Sequence, residues 1–300
     1  MVDVQEADVP VIGPNDLTPV ELRNGIWYKR EDLHRNRYGV NGAKYRACRH
    51  MLSRAVVEGY DYVVSAQSVL SPQSSICATL AEEMGIGCVV VYGATNPDSV
   101  IKHPNPRIAF EAGAMIDTTC RVAYNGVIQP YAAKLAKEID AWQLPYAISM
   151  PEDSSPEDLE AFMAVGGEQV ANLPKEVETL VLPFGSGNTT AGVLYGLSKH
   201  GSGGVERIVL VGVGPDRFSW LEERFSRIDV SLNDLPPIVH MPLHPWFAEY
   251  SDRMPETLDD IVLHPTYEGK VARFLNKAGI EWWEARDDKT CFWIVGGPIQ

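Results

Sequence analysis

The sequence predicts an α/β protein. Short β-branched runs alternate with longer amphipathic stretches along most of the chain, which implies parallel strands joined by crossover helices. The run at 88–92 (CVVVY) is apolar without alternation, as in a strand buried on both faces. Three hundred residues, 45% of them apolar, supply a sizeable core for one large domain or two smaller ones.

Residues 26–29 read as a strand, and 44–57 as a helix with apolar residues near helical spacing. Residues 61–65 (DYVVS) are strand-like and lead into a helix over 72–84, ended by Gly85. After the strand at 88–92 come a helix over 106–112, an extended stretch at 114–117, a helix over 127–142 and a strand at 146–150. The acidic stretch PEDSSPEDLE follows, and Ser155 with Pro156 starts a helix predicted to reach residue 172. Then come a strand at 179–184, a helix over 190–200 and a strand at 208–213. Over 215–263 the pattern is poor, interrupted by Pro236, Pro237, Pro242, Pro245 and Pro255. A helix over 268–278 and a strand at 291–295 end the series.

A charged fraction of 22% beside 45% apolar residues excludes wholesale disorder. No apolar run approaches the ~20 residues of a membrane-spanning helix, so no membrane partner is expected. Residues 1–10 (MVDVQEADVP) carry acids and no basic segment, which argues against a signal peptide and for a cytoplasmic protein. A net charge of −14 disfavours tight binding to nucleic acid. Cys48, Cys77, Cys88, Cys120 and Cys291 are odd in number and scattered, and they read as small buried apolar residues. His240 and His244 have the spacing of two ligands on a helical turn, but Pro242 and Pro245 interrupt it, and no metal site is expected.

The clearest chemical motif is GSGNTTAG at 185–192, directly after an apolar strand and opening a helix. Glycines permit a close backbone approach, and free N–H groups at the helix start favour a phosphate. A nucleotide fits poorly: the Walker lysine is missing, and a dinucleotide fingerprint wants its third glycine where Thr190 stands. Asp216, after the next strand, keeps a dinucleotide open as an alternative. A second strand–loop–helix junction, GVNGAKYR at 39–46, presents Lys44 in the first turn of a helix. The helix start and the cations Arg46 and Arg49 favour a nucleophilic amine there.

KREDL at 29–33, the glycine loop before Lys44 and GSGNTTAG together resemble the fold-type II pyridoxal phosphate (PLP) enzymes, the tryptophan synthase β-like superfamily. The segment HPTYEGK at 264–270 is similar to D-P-V-Y-E-G-K of the aminocyclopropane-carboxylate deaminase and D-cysteine desulfhydrase branch, and WIVGG at 293–297 resembles that branch's closing strand. The likeness spans about residues 17–297. It implies two open, twisted, mostly parallel sheets flanked by helices, with the cofactor in an interdomain cleft. It also implies a large discontinuous domain (1–43 and 151–300), a smaller inserted one (44–150), and a homodimer. Lys44 would carry the cofactor as a Schiff base. Gly185, Ser186, Gly187, Asn188, Thr189 and Thr190 would hold its phosphate. Glu268 would face the pyridine nitrogen, since the alternative position before the final glycines is Val295. Tyr267 would lie over the substrate as acid, base or clamp. Lys270 is the one rival to Lys44.

Two departures bear on the substrate. Where the branch has Q-S-N after the strand at 61–65, this chain reads SAQSVLSPQ at 65–73: the asparagine becomes Val69 and the loop is longer. Gln67, Ser68, Ser71 and Gln73 become the candidates for carboxylate contacts. Near residues 250–256 the branch's substrate segment is only echoed, with Tyr250 as the candidate. The expected activity is a PLP-dependent lyase or deaminase at the α-carbon of an amino acid or amino-acid-like substrate. β-Replacement, or decarboxylation of an aminoacyl group tethered to a larger molecule, is the alternative within the same chemistry. A non-catalytic or nucleotide-binding α/β module is the alternative outside it.

Overall fold

The computed structural model describes residues 16–299 apart from 245 and 250. Strands β1 (Val20–Arg23) and β2 (Ile26–Arg30) form a hairpin whose two-residue loop, Asn24-Gly25, has positive φ at both positions (44° and 79°). Helix α1 (Ala43–Val57) follows, then β3 (Tyr62–Ala66), α2 (Gln73–Met84), β4 (Gly87–Val91), α3 (Pro97–Val100) and α4 (Pro104–Glu111). Next are β5 (Met115–Asp117), α5 (Asn125–Glu138), β6 (Trp142–Leu144), α6 (Pro156–Gly167), β7 (Thr179–Phe184) and α7 (Asn188–His200). The rest comprises β8 (Arg207–Gly212), α8 (Phe218–Arg227), β9 (Ile238–Pro242), β10 (Thr257–Leu258), β11 (Ile261–Val262), α9 (Glu268–Ala278), α10 (Glu281–Glu284) and β12 (Thr290–Ile294).

These strands make two open sheets and a small β10–β11 hairpin. The larger sheet has the order β1-β2-β12-β7-β8-β9 and is parallel except at β1; the smaller, β5-β4-β3-β6, is wholly parallel. The two-residue period of a strand divides the core cleanly. Leu180, Leu182, Ile208, Leu210 and Trp293 point into one cluster with Val63 and Val90, joining the facing sides of both sheets. Val181, Val209, Val211, Phe292 and Ile294 point the other way, onto Val271 and Leu275 of α9. Val64, Ala66, Val89 and Val91 do the same in the smaller sheet, against Ile128, Ala132 and Ala136 of α5. Strands buried on both faces explain the unbroken apolar runs.

Several elements differ from the sequence expectation. The strand expected at 146–150 does not form. Asp140 takes left-handed φ (51°) and stops α5 early, so the strand lies at 142–144. Pro145, which has no N–H, ends the ladder, and residues 146–148 make a tight turn with Ala147 and Ile148 at φ 61° and 56°. The helix expected over 156–172 is α-helical only to Gly167 and continues as a 3-10 turn. The poorly patterned 215–263 contains α8, the edge strand β9 and the β10–β11 hairpin. His240 lies on β9, stacked on Phe218 at 5.4 Å, while His244 meets Glu249 at 3.1 Å, so the two share no helical turn. Among the described residues no helix is long and apolar enough to cross a membrane.

Candidate active site

Three neighbouring strands of the larger sheet, β2, β12 and β7, end at one edge, and their loops meet there. This carboxyl edge is where parallel sheets place ligands. Chain from β2 reaches α1 through Gly42, whose φ of 96° and close approach exclude a side chain: a Cβ would lie 2.5 Å from the Val295 carbonyl oxygen. The Ala43 N–H donates to that same oxygen at 2.8 Å, and the Gly297 N–H donates to Asn41 Oδ1 at 2.7 Å. The loop before Lys44 is thus seated on the residues that follow β12.

Lys44, half-buried in the first turn of α1, lines a cleft of about 420 Å³, open solvent included, together with Asn188 and Thr189. The two junctions singled out in the sequence therefore face one space. Helix α7 starts at Asn188 behind Gly187 (φ 91°), where a Cβ would meet the Trp220 ring at 2.5 Å. Among the described residues no side chain caps α7, so its first N–H groups are free for an anion. The Asn188 side chain itself is turned away. Its Nδ2 donates to the carbonyls of Ala147 (3.1 Å) and Ile148 (3.3 Å), and its Oδ1 accepts from Ser149 Oγ (2.9 Å). Asn188 can offer an anion its backbone N–H only.

Tyr267 and Glu268 start α9. Lys44 Nζ is 5.9 Å from the Tyr267 ring centroid, and a Cβ on Gly185 would lie 3.7 Å from Tyr267 Cε1. The tyrosine ring thus lies near both the lysine and the glycine loop. Glu268 is fully buried; Oε1 accepts from the Val295 N–H (2.9 Å) and the Gly296 N–H (3.3 Å), and Oε2 has no protein partner. Burial pushes this carboxyl up to about 8, against the pull of those backbone donors. His264 packs on Tyr267 with ring centroids 4.9 Å apart, and its Nδ1 accepts from the Thr266 N–H at 3.2 Å, leaving Nε2 to carry the proton. Burial, then the charges of Arg253 and Lys44, push His264 down to about 4.

Buried charges, whose pairing the sequence did not reveal, complete the cleft wall. Glu31 and Arg46 line it as a buried pair with 3.5 Å between charged atoms, and Lys29 lies beneath, donating to the Thr18 carbonyl (2.9 Å) and Asn172 Oδ1 (2.7 Å). Burial lowers Lys29 to about 8. The KREDL motif carried this signal, as four successive charges at and just after a predicted strand end demand partners where they are buried.

In the loop after β3 several polar side chains bond within the protein, while Gln67 Nε2 has no hydrogen-bond partner. Gln67 and Gln73 are buried and joined through Ser65: Ser65 Oγ donates to Gln67 Oε1 (2.8 Å), and Gln73 Nε2 donates to Ser65 Oγ (3.1 Å) and the Pro145 carbonyl (3.2 Å). Ser68 Oγ and Ser71 Oγ accept from the N–H groups of Leu70 and Gln73, both at 3.3 Å. Tyr250 lies outside the described residues. Lys270 Nζ donates to the Glu249 carbonyl at 2.6 Å. Asp216 Oδ1 accepts from the Phe218 N–H (2.8 Å), two residues ahead of α8.

A lysine and an uncapped glycine-rich helix start sharing a cleft at the carboxyl edge of a parallel sheet define an α/β enzyme site built for an anionic group and amine chemistry. Comparison with known proteins gives the family: a model of the pyridoxal-phosphate dependent enzymes matches residues 5–262, and the chain belongs to that family. It is 28% identical to the O-seryl-dTMP PLP-dependent decarboxylase of Salmonella phage ViI, over 92% of this chain and 79% of that protein. Among solved structures it resembles an ACC deaminase homologue, with TM-score 0.69 and 20% identity over 97% of this chain and 92% of the other. It also resembles threonine deaminase isoform 2 of Solanum lycopersicum, with TM-score 0.62 and 16% identity over 94% and 80%. The architecture is that of PLP fold type II, as the resemblance implied. The protein is a PLP-dependent enzyme, and its chemistry lies at the α-carbon of an amino acid or amino-acid-like substrate.

The residues present suit that cofactor. A primary amine and free helix N–H groups with threonine hydroxyls match an aldehyde and a phosphate. The unpartnered Glu268 Oε2, sealed from water, matches a ring nitrogen that can share its proton.

Proposed function

We propose that this chain is a PLP-dependent lyase in which Lys44 carries the cofactor, residues 185–190 bind its phosphate, and Glu268 faces its ring nitrogen. One observation carries this reading: Lys44 and the free start of α7 line one cleft. When bound, the cofactor supplies an electron sink for a carbanion at the substrate α-carbon. Lys44, freed when the substrate amine takes its place, is the group positioned to move a proton at that carbon. Tyr267, whose ring centroid is 5.9 Å from Lys44 Nζ, is placed to clamp the substrate beside it. Glu268 holds its proton in an apolar setting, where a ring nitrogen is its natural partner.

Between elimination or deamination of a free amino acid and decarboxylation of a tethered aminoacyl group, the loop at 67–73 favours decarboxylation. It carries no cation, and Gln73 Nε2 is committed to Ser65 and the Pro145 carbonyl, while Gln67 Nε2 has no hydrogen-bond partner. A carboxylate held weakly in the ground state loses less on departing as carbon dioxide. The similar phage protein named for O-seryl-dTMP decarboxylation supports a seryl group carried on a nucleotide as the substrate. In that reaction the Cα–carboxylate bond breaks, carbon dioxide leaves, Lys44 delivers a proton to Cα, and a primary amine remains on the carrier. The same reading includes a cytoplasmic homodimer and the partition into 1–43 with 151–300 and 44–150, supported by the two separate sheets.

Borohydride reduction followed by peptide mapping tests the site. Label on the peptide containing residues 41–46 is expected. Label on 269–273 instead moves the attachment to Lys270, and no label removes the proposal. Free serine and O-seryl-dTMP, compared by the spectral shift each causes in the purified enzyme, separate the substrates: a shift with free serine alone overturns the tethered reading.

A further inference from the structure

The connection from β6 to α6 is one of the crossings between the two sheets, and at its centre Ala147 and Ile148 both hold φ near +60°. A β-branched residue rarely adopts that conformation, and it persists only where neighbours over-determine it. Here the neighbour is Asn188. Both hydrogens of its amide go to the carbonyls of Ala147 and Ile148, and its oxygen takes the Ser149 hydroxyl. Two carbonyl partners fix which end of the amide is nitrogen. The same residue is the first of α7, so its backbone N–H belongs to the free helix start. Ala147 and Ile148 in turn line the same cleft as Lys44 and Thr189.

We propose that Asn188 is a positioning residue that couples occupancy of the α7 start to the conformation of residues 146–149, and so to the spacing of the two sheets across the cleft. The coupling rests on the reading that the cofactor phosphate sits on residues 185–190. An anion drawn onto the backbone N–H groups orders the first turn of α7. The Asn188 side chain then pins the two strained carbonyls, and the inter-sheet crossing stiffens.

Hydrogen exchange by mass spectrometry on the full chain, PLP-loaded and PLP-depleted, tests this, with visible absorbance reporting occupancy. In the wild type, PLP slows exchange at residues 146–149 by about tenfold. In Asn188→Ala at saturating PLP the slowing drops below about twofold, although the helix start is occupied. Asn188→Asp keeps an acceptor for Ser149 but loses both donors, and it behaves like the alanine variant. If Asn188→Ala takes up no PLP, Asn188→Asp and Ser149→Ala carry the comparison, and wild-type protection in both overturns the coupling. Equal protection in the wild type and Asn188→Ala at full occupancy also overturns it, leaving the cofactor site intact. Failure of the wild type to take up PLP overturns the site and the coupling together.

Discussion

Replacing Glu268 by glutamine isolates one ionisation at the centre of the site. Glutamine keeps a carbonyl oxygen for the N–H groups of Val295 and Gly296 but cannot ionise. In the wild type without cofactor, burial raises the carboxyl from 4.5 to about 8, so the folded state holds a proton that the unfolded state has released. The stability contributed by that protonated carboxyl is fully present below about pH 4.5 and is lost as pH rises through about 8. At ~1.4 kcal/mol per pH unit the full loss is about 5 kcal/mol. Urea unfolding of the PLP-depleted proteins between about pH 5 and 8 reads this directly. The wild type should weaken relative to Glu268→Gln by ~1.4 kcal/mol for each unit of pH. Parallel pH profiles for the two proteins would refute a proton-holding Glu268. In the loaded enzyme the variant should keep PLP but lose on the order of a hundredfold in kcat, as the buried carboxylate no longer stabilises charge on the ring.

Other outcomes follow from single contacts. Gly187→Ala places a methyl 2.5 Å from the Trp220 ring at φ 91°, and should lower stability by about 1–3 kcal/mol in thermal or urea unfolding while weakening PLP uptake. Gly196→Ala puts a methyl 2.2 Å from the Gly167 carbonyl oxygen where α6 and α7 touch, and should cost about 3 kcal/mol in urea unfolding, since backbone cannot step aside. His264 and His34 are held at about 4 and about 3, below the usual 6.5, chiefly by burial. Their neutral forms contribute stability that is complete above about pH 6.5 and lost as pH falls through 4 and 3, up to about 3 and 5 kcal/mol respectively. Glu31, also raised by burial, opposes this slope even in Glu268→Gln, so the histidines are read singly by ring-proton NMR, where an imidazole titrating near 6.5 would contradict neutral buried histidines.

The parts of this molecule legible from sequence were those where a strand runs into a helix through glycine. Lys44 and residues 185–190 sit at such junctions, and both the fold class and the cleft between them followed. Edge strands were harder to see. β9 mixes His240 and Pro242 with apolar residues because one of its sides is unpaired, which breaks the pattern of a central strand. The β1–β2 hairpin carried its signal in Asn24-Gly25, a pair suited to two successive positive φ angles. The inward turn of Gln67 and Gln73 had no local signature, because their partner Ser65 and the Pro145 carbonyl come together only in the fold. His264 stands where the resembled branch has an acid, and that substitution within HPTYEGK was the available hint of an imidazole beside Lys44 and Tyr267.

The place of β12 in the larger sheet dictates when an active site can exist during synthesis. This strand is inserted between β2 and β7, pairing Cys291 with both Trp27 and Leu180. At roughly 5–20 residues per second, β12 emerges from the ribosome about ten seconds to a minute after β2. The smaller sheet, drawn wholly from residues 62–144, can close in that interval, while β2 waits as an unpaired edge on its β12 side. The residues just after β12 then deliver three things at once: the carbonyl under Ala43, the N–H that holds Asn41, and the two N–H groups that hold Glu268. Lysine loop and ring carboxyl are therefore locked in the same late step. A nascent chain short of residue 290 has the phosphate loop but no seat for the lysine, so reactive amine and cofactor site are brought into register only once the sheet is whole.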